Sequence, residues 1–307
     1  MSGLAERLAD AEYAAAWRLV RGLPPGLAFG AFRLGADLVA RRGGPGARQL
    51  RANLARVVPD ASPTELDALV RDGLRSYARY WCEAFRLPAM DPVAVHDHVD
   101  PLVTGAAPLF EALDAGRGVV IALPHSGNWD VGGVWLVEEL RRRGREPAFT
   151  TVVQRLRPES LYRRFVAYRE ALGFEVVAVE DNAAGSHRAL TRRLLAGGVV
   201  CLVADRDLTA AGVEVRFLGE RALFPAGPAR LAALTGSLLL PVCPRFTSDG
   251  WSMPLAGPVP VAGRAGVTAA TQALADTFGL MIAESPADWH ALQPIWTADR
   301  VPEPVPT

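Results

Sequence analysis

Five short apolar runs most restrict what this chain can fold into: GVVIAL (118–123), FTTVV (149–153), FEVVAV (174–179), VVCLVA (199–204) and LLLPVC (238–243). Each is too short for a core helix, and most are rich in β-branched residues. Between them, at about 130–143, 159–172, 186–196 and 227–236, apolar residues recur at helical spacing. Runs that are apolar throughout suit strands covered on both faces, and strands separated by helices require right-handed crossovers. The fold class this predicts is α/β, a mostly parallel central sheet flanked by helices. One more helix is expected over about 267–284, before a Pro-rich end.

Residues 1–90 carry no such runs and read as helical, forming an N-terminal cap. Leu4, Leu8, Ala15 and Leu19 recur at helical spacing, LPPG (23–26) interrupts, and a second helix is predicted from Leu27 to Arg42. After GGPG (43–46), Ser62 is placed to cap a long amphipathic helix with Pro63 at its first position, running to about Leu87. The expected organisation is one domain over 1–307, with a helical and membrane-facing segment at 1–90 and an α/β core at 101–290.

The 33 basic and 33 acidic side chains balance, which argues against a nucleic-acid partner. Every base is arginine, so a Schiff-base lysine and a phosphate-binding G-x-x-x-x-G-K loop are excluded. Cys82, Cys201 and Cys243 are far apart and form no C-x-x-C, so no metal site is expected and a reducing compartment fits. Charges at Glu6, Arg7 and Asp10 interrupt any signal-peptide core, and no uncharged run approaches the ~20 apolar residues of a membrane span. The charges are nevertheless unevenly placed: residues 1–56 hold nine arginines against four acids, a net +5. That excess, with Trp17, Phe29 and Phe32, suits an anionic membrane surface as readily as a helical hairpin with arginines on its wet face.

In parallel sheets, ligands sit beyond the carboxyl ends of the strands. Two polar clusters fall there: PHSGNWD (124–130) after the first run, and DRDL (205–208) after the fourth. His125 and Asp130 have H-x4-D spacing. Roughly one residue in nine is acidic, so five histidines produce such a match by accident about four times in ten. Spacing alone therefore decides little, and context carries the argument. The histidine leaves a buried strand, and Gly127, Gly132 and Gly133 allow close backbone approach. Asp130, at the start of the next helix, is expected to reach back to the ring, fix its tautomer and offset an imidazolium charge. The competing reading makes Asp130 a helix-start acid and His125 a satisfied loop residue.

No G-x-S-x-G elbow is present and none of the cysteines is placed as a nucleophile, so direct attack by a hydroxyl deprotonated at His125 is the simpler chemistry. Such a site needs a cation. Arg169, four residues after Phe165 and three before Leu172, falls on the apolar face of its helix, with Asp205 as a long-range partner. Arg163 and Arg164 are close by, and a structural salt bridge explains Arg169 equally well. The helix start at FPAGP (224–228) reads as a plain connection more readily than as a phosphate site.

Taken together, these stretches resemble the bacterial lysophospholipid acyltransferase superfamily, in its lipid A biosynthesis lauroyl and myristoyl acyltransferase branch. HSGNWD corresponds to the H-x4-D/E hallmark. The likeness extends to RPESLYRRFVAYREALGFEV (157–176), AGGVVCLVADRDL (196–208), FPAGPARLAALTGSLLLPV (224–242), LRANLARVVP (50–59) and RSYARYWCEAFRLP (75–88). Within the branch the chain looks like the phosphatidylinositol mannoside acyltransferases. That resemblance implies transfer of a fatty acyl group, typically palmitoyl, from acyl-CoA as co-substrate to a mannose hydroxyl of a phosphatidylinositol mannoside glycolipid. No permanently bound cofactor is implied. His125 would be the base with Asp130, Asp205 and Arg169 the further catalytic residues, and Asn128, Trp129, Arg206 and Arg164 the substrate contacts. The P-E-G-T-R block of glycerol-phosphate acyltransferases is absent. The implied location is peripheral, on the cytoplasmic face of the cell membrane. A lipid A-type enzyme using acyl carrier protein, and a non-catalytic lipid-binding protein on the same fold, are the alternatives.

Overall fold

The computed structural model describes residues 17–153, 159–178, 183–207 and 211–300. Residues 17–22 are helical, and α1 (Pro25–Arg42), α2 (Pro45–Val57) and α3 (Pro63–Arg86) follow. Leu4, Leu8 and Ala15 of the expected first helix lie outside the described residues. Each labelled helix opens with proline in its first turn, where the missing N–H has no intrahelical partner to lose. The start of α3 is a complete capping box: Ser62 Oγ accepts from the Glu65 amide, and the Glu65 carboxylate accepts from the Ser62 amide at 2.8 Å. Next come α4 (Pro92–Val99), β1 (Val103–Thr104) and α5 (Ala107–Asp114).

The core alternates from there: β2 (Val119–Leu123), α6 (Trp129–Arg142), β3 (Phe149–Val153), α7 (Glu159–Ala171), β4 (Phe174–Ala178), α8 (Ala183–Leu195) and β5 (Val199–Val203). After the hairpin β6 (Val213–Phe217) and β7 (Glu220–Phe224) come α9 (Gly227–Thr235), β8 (Leu238–Pro241), β9 (Arg245–Phe246), β10 (Trp251–Pro254) and α10 (Val267–Glu284). The five expected strands form one all-parallel sheet in the order β4-β3-β5-β2-β8. β2 is buried at every residue, and its side chains alternate between two cores. Ile121 and Leu123 pack with Trp135 and Phe149 on one face, while Val120 and Ala122 pack with Leu202 and Trp289 on the other.

Two small sheets join this frame without having been expected. β6 and β7 pair antiparallel around Leu218, whose φ of 48° is left-handed, and Gly219. The V-x-V-x-F alternation of β6 is a period-2 signal, a legible mark of a strand with one wet face. β1 and β9 flank β10, and at two residues each they are too short for any periodicity to show. Among the described residues no helix is long and apolar enough to cross a membrane.

Candidate active site

Adjacent strands deliver the two central residues. β2 and β5 pair in register, Leu123 opposite Val203, and His125 and Asp205 each stand two residues beyond that last pair. The ladder thus brings them face to face across 80 residues of sequence. His125 Nδ1 lies 2.6 Å from Asp205 Oδ1, and the His125 amide donates to Asp205 Oδ2 at 3.1 Å. Since the carboxylate only accepts, Nδ1 carries the hydrogen and Nε2 is left with its lone pair. Arg206 Nη2 approaches that lone pair at 3.3 Å, and the His125 side chain remains 36% exposed.

Asp205 is fully buried and has a third donor, the Trp289 indole N–H at 3.0 Å from Oδ2. Burial alone would raise its carboxyl. The attraction of the His125 ring when it is protonated, its hydrogen bond, the charge of Arg206 and the hydrogen bond from Trp289 instead hold it well below the usual carboxylate range.

Asp130 does not reach the ring. Its Oδ1 accepts from Arg169 Nε at 3.1 Å and its Oδ2 from the Tyr80 hydroxyl at 3.2 Å. The expected pairings are therefore exchanged: Asp205 serves His125, and Asp130 serves Arg169. The physical reason is helical. Asp130 is the second residue of α6, so it turns inward with the helix toward α3 and α7 instead of back toward the loop. Arg169 does point inward, as its spacing indicated, and its guanidinium stacks on Trp129 at 4.3 Å. This buried pair sits beside the loop and fixes the start of α6.

Asn128 is fully buried and caps α6, its carbonyl oxygen accepting from the Val131 amide at 3.2 Å and its amide donating to Glu83 at 2.7 Å. It anchors the loop, and both of its polar groups are already engaged within the protein. Gly127, at φ +52°, leaves no room for a side chain, since a Cβ there would stand 2.6 Å from the Pro244 carbonyl oxygen. Arg164 lies half-buried on α7.

Several groups at the site were not foreseen. Glu83, buried on α3, also accepts from Trp251 Nε1 at 2.7 Å and pairs with Arg79; burial raises its carboxyl despite that arginine. Ser76, Tyr80 and Glu83 follow at i, i+4 and i+7, a polar interruption of an otherwise apolar inward face, and that was a readable signal. Residues 288–290 run against the loop. Gly127 donates to the Asp288 carbonyl at 2.9 Å, and His290 donates to the His125 carbonyl at 2.7 Å. The His290 ring is buried, and Ser76 Oγ, which donates to Asp288 at 2.8 Å, receives its Nε2–H at 3.0 Å. Burial, then repulsion from His125, push His290 down to about 3. Nothing in the periodicity of this segment marked it.

Next to the loop lies a narrow apolar cavity of about 50 Å³. Trp129, Gly132 and Leu136 line it from α6, Ile121 and Leu123 from β2, and Met253 from β10. The three cysteines are buried, and burial raises their thiols, those of Cys82 and Cys243 to about 11, which leaves no ready thiolate nucleophile among them. Toward the other end of α6, His96 Nε2 lies 2.9 Å from Glu139 with Asp100 nearby, but Arg143 and Arg142 already pair with Glu139 and Asp97 around that ring.

The family model described as "Bacterial lipid A biosynthesis acyltransferase" matches residues 6–298. A phosphatidylinositol mannoside acyltransferase of Mycolicibacterium smegmatis is 52% identical over 296 residues, covering 96% of this chain and 94% of that protein. One of Mycobacterium tuberculosis is 47% identical over 298 residues, covering 97% of this chain and 92% of its own length.

Proposed function

The chain belongs to the bacterial lipid A biosynthesis acyltransferase family, and we propose that within it the protein transfers palmitoyl from acyl-CoA to a mannose hydroxyl of a phosphatidylinositol mannoside. Its catalysis of acyl transfer follows from the family; the donor, the acyl chain and the acceptor are the proposed parts. The observation that carries the chemistry is the 2.6 Å contact of His125 with Asp205, which leaves Nε2 of a partly exposed ring without a hydrogen, with Arg206 beside it and an apolar cavity next to the loop.

In this reading Nε2 takes the proton of the acceptor hydroxyl as its oxygen attacks the thioester carbonyl carbon. The carbon–sulfur bond of the tetrahedral intermediate then breaks, and the imidazolium returns the proton to the leaving thiolate, giving the ester and free CoA. Asp205 offsets the transient positive charge on the ring. Arg206 supplies a cation beside Nε2, where an oxyanion or a substrate phosphate needs one. The acyl chain enters the apolar core along α6 at this cavity, where Trp129 stands next to the loop. The Asp130–Arg169 pair keeps that end of α6 in place. The acceptor is a membrane lipid, so the protein works peripherally on the cytoplasmic face of the cell membrane, with the basic N-terminal segment toward an anionic surface.

The test is CoA release and product mass with palmitoyl-CoA and phosphatidylinositol mannosides. Wild-type protein should acylate a mannose, and His125→Ala should lose turnover by about a hundredfold or more while staying folded. A wild-type protein that acylates only a lipid A precursor, from an acyl carrier protein thioester and with release of the carrier's free thiol instead of CoA, would overturn the substrate assignment. An active His125→Ala would overturn the mechanism.

A further inference from the structure

On α1 the buried residues are Ala28 and Ala36. On the opposite side Leu27, Leu34 and Leu38 recur at i, i+7 and i+11, two and three helical turns apart, and are 63%, 71% and 46% exposed. Leu19, on the helical residues before α1, is 63% exposed as well. Single exposed leucines are ordinary on a protein surface, but a ridge of them along one helix is the pattern of an interfacial element.

Beside the ridge, α1, α2 and α3 form an open groove of about 500 Å³ lined by five arginines, Arg41, Arg48, Arg51, Arg71 and Arg75. Three carboxylates answer them. Arg75 holds both oxygens of Asp37, at 2.6 and 3.0 Å; Arg51 holds Asp67 at 3.0 Å; and Asp72 is shared between Arg75 at 3.2 Å and Arg71 at 4.0 Å. Among the described residues Arg41 and Arg48 make no ion pair, and Arg48 bonds only the Gly43 carbonyl, at 2.6 Å. Arg41 follows Leu38 by three residues and so shares its side of the helix.

We propose that this groove binds the phosphate of an anionic phospholipid headgroup and so docks the leucine ridge into the leaflet. Two exposed guanidiniums that make no ion pair among the described residues line a concave site and are open to an anion, and their planar forks match phosphate oxygens. The adjoining ridge selects an anion attached to an apolar phase, which a free anion or a nucleic acid is not. The inference rests on the acceptor being a membrane lipid and deepens that reading by naming the surface that meets the leaflet.

The experiment is co-sedimentation of the full chain with phosphatidylcholine vesicles, with and without phosphatidylglycerol, free of donor and acceptor. Wild-type protein should prefer the anionic vesicles, and Arg48→Gln should lose about fivefold of that preference, the size expected for one basic side chain near an anionic surface. Arg41→Gln/Arg48→Gln should lose more than about tenfold while keeping wild-type circular dichroism and its weak binding to phosphatidylcholine. Leu34→Ser/Leu38→Ser should bind both kinds of vesicle less. Undiminished preference in both arginine variants would overturn the proposal. So would equal binding of wild-type protein to vesicles with and without phosphatidylglycerol. Vesicle binding needs no turnover, so a chain that docks as described yet releases no CoA would overturn the function alone.

Discussion

Asp205 Oδ1 lies 2.6 Å from His125 Nδ1, while Asp130, only five residues from that histidine, pairs with Arg169 at 3.1 Å. The acid that matters for the ring is the one the sheet register supplies. Asp205→Asn keeps the shape of the buried side chain and removes its charge, and it also permits the wrong imidazole tautomer. Turnover of the donor thioester should fall by about a hundredfold or more, with the fold intact. Near-normal turnover would remove Asp205 from the mechanism.

Arg169 and Asp130 are both nearly buried, with side chains 11% and 1% exposed. Arg169→Ala leaves an uncompensated carboxylate in the interior and should lower stability by about 3 kcal/mol, together with at least about tenfold of turnover. Adding Asp130→Asn should return part of the lost stability. Denaturant titration of the two single variants and the double variant measures this coupling, and strictly additive losses would refute it.

Trp289→Phe keeps an aromatic ring and deletes the N–H that holds Asp205 Oδ2. Removing one donor to a buried carboxylate costs roughly 1–3 kcal/mol. Because the ring of His125 is oriented through Asp205, kcat should fall about tenfold or more while KM stays at the wild-type value. A change in KM alone would instead place Trp289 against substrate.

His290 is neutral when folded, and its pKa of about 3 lies below the unfolded value near 6.5. The unfolded chain therefore takes up a proton first as pH falls. The protein should keep its full stability above about pH 6.5 and lose up to about 1.4 kcal/mol per pH unit below it. The groups facing the ring are Ser76, Tyr77 and Tyr80 from α3, Phe246, and the charges of His125 and Asp205. Urea unfolding between pH 4.5 and 6.5 should show the slope in wild type and a shallower one in His290→Asn. Equal slopes would assign it to another group.

The parallel sheet was legible because strands covered on both faces must be apolar throughout, and GVVIAL and VVCLVA are. Placing His125 and Asp205 on one edge required only that both strands run the same way. The partner of Asp130 was not legible. Its choice depends on how α6 rolls against α3 and α7, which neither the H-x4-D spacing nor the helix period of Arg169 encodes. Tyr80 and Glu83 left a trace, as polar residues in the apolar phase of α3. Trp289 and His290 left none, since an irregular segment that docks through backbone hydrogen bonds carries no period.

Residues 288–290 supply the last two backbone hydrogen bonds of the His125 loop and the third donor to Asp205. They leave the ribosome after all five strands of the central sheet have been made. A nascent chain can therefore assemble its sheet and bring His125 opposite Asp205 while the loop is still unsecured on one side. The site is completed only when this segment docks, so maturation of the centre waits until synthesis has passed well beyond the last strand of the sheet.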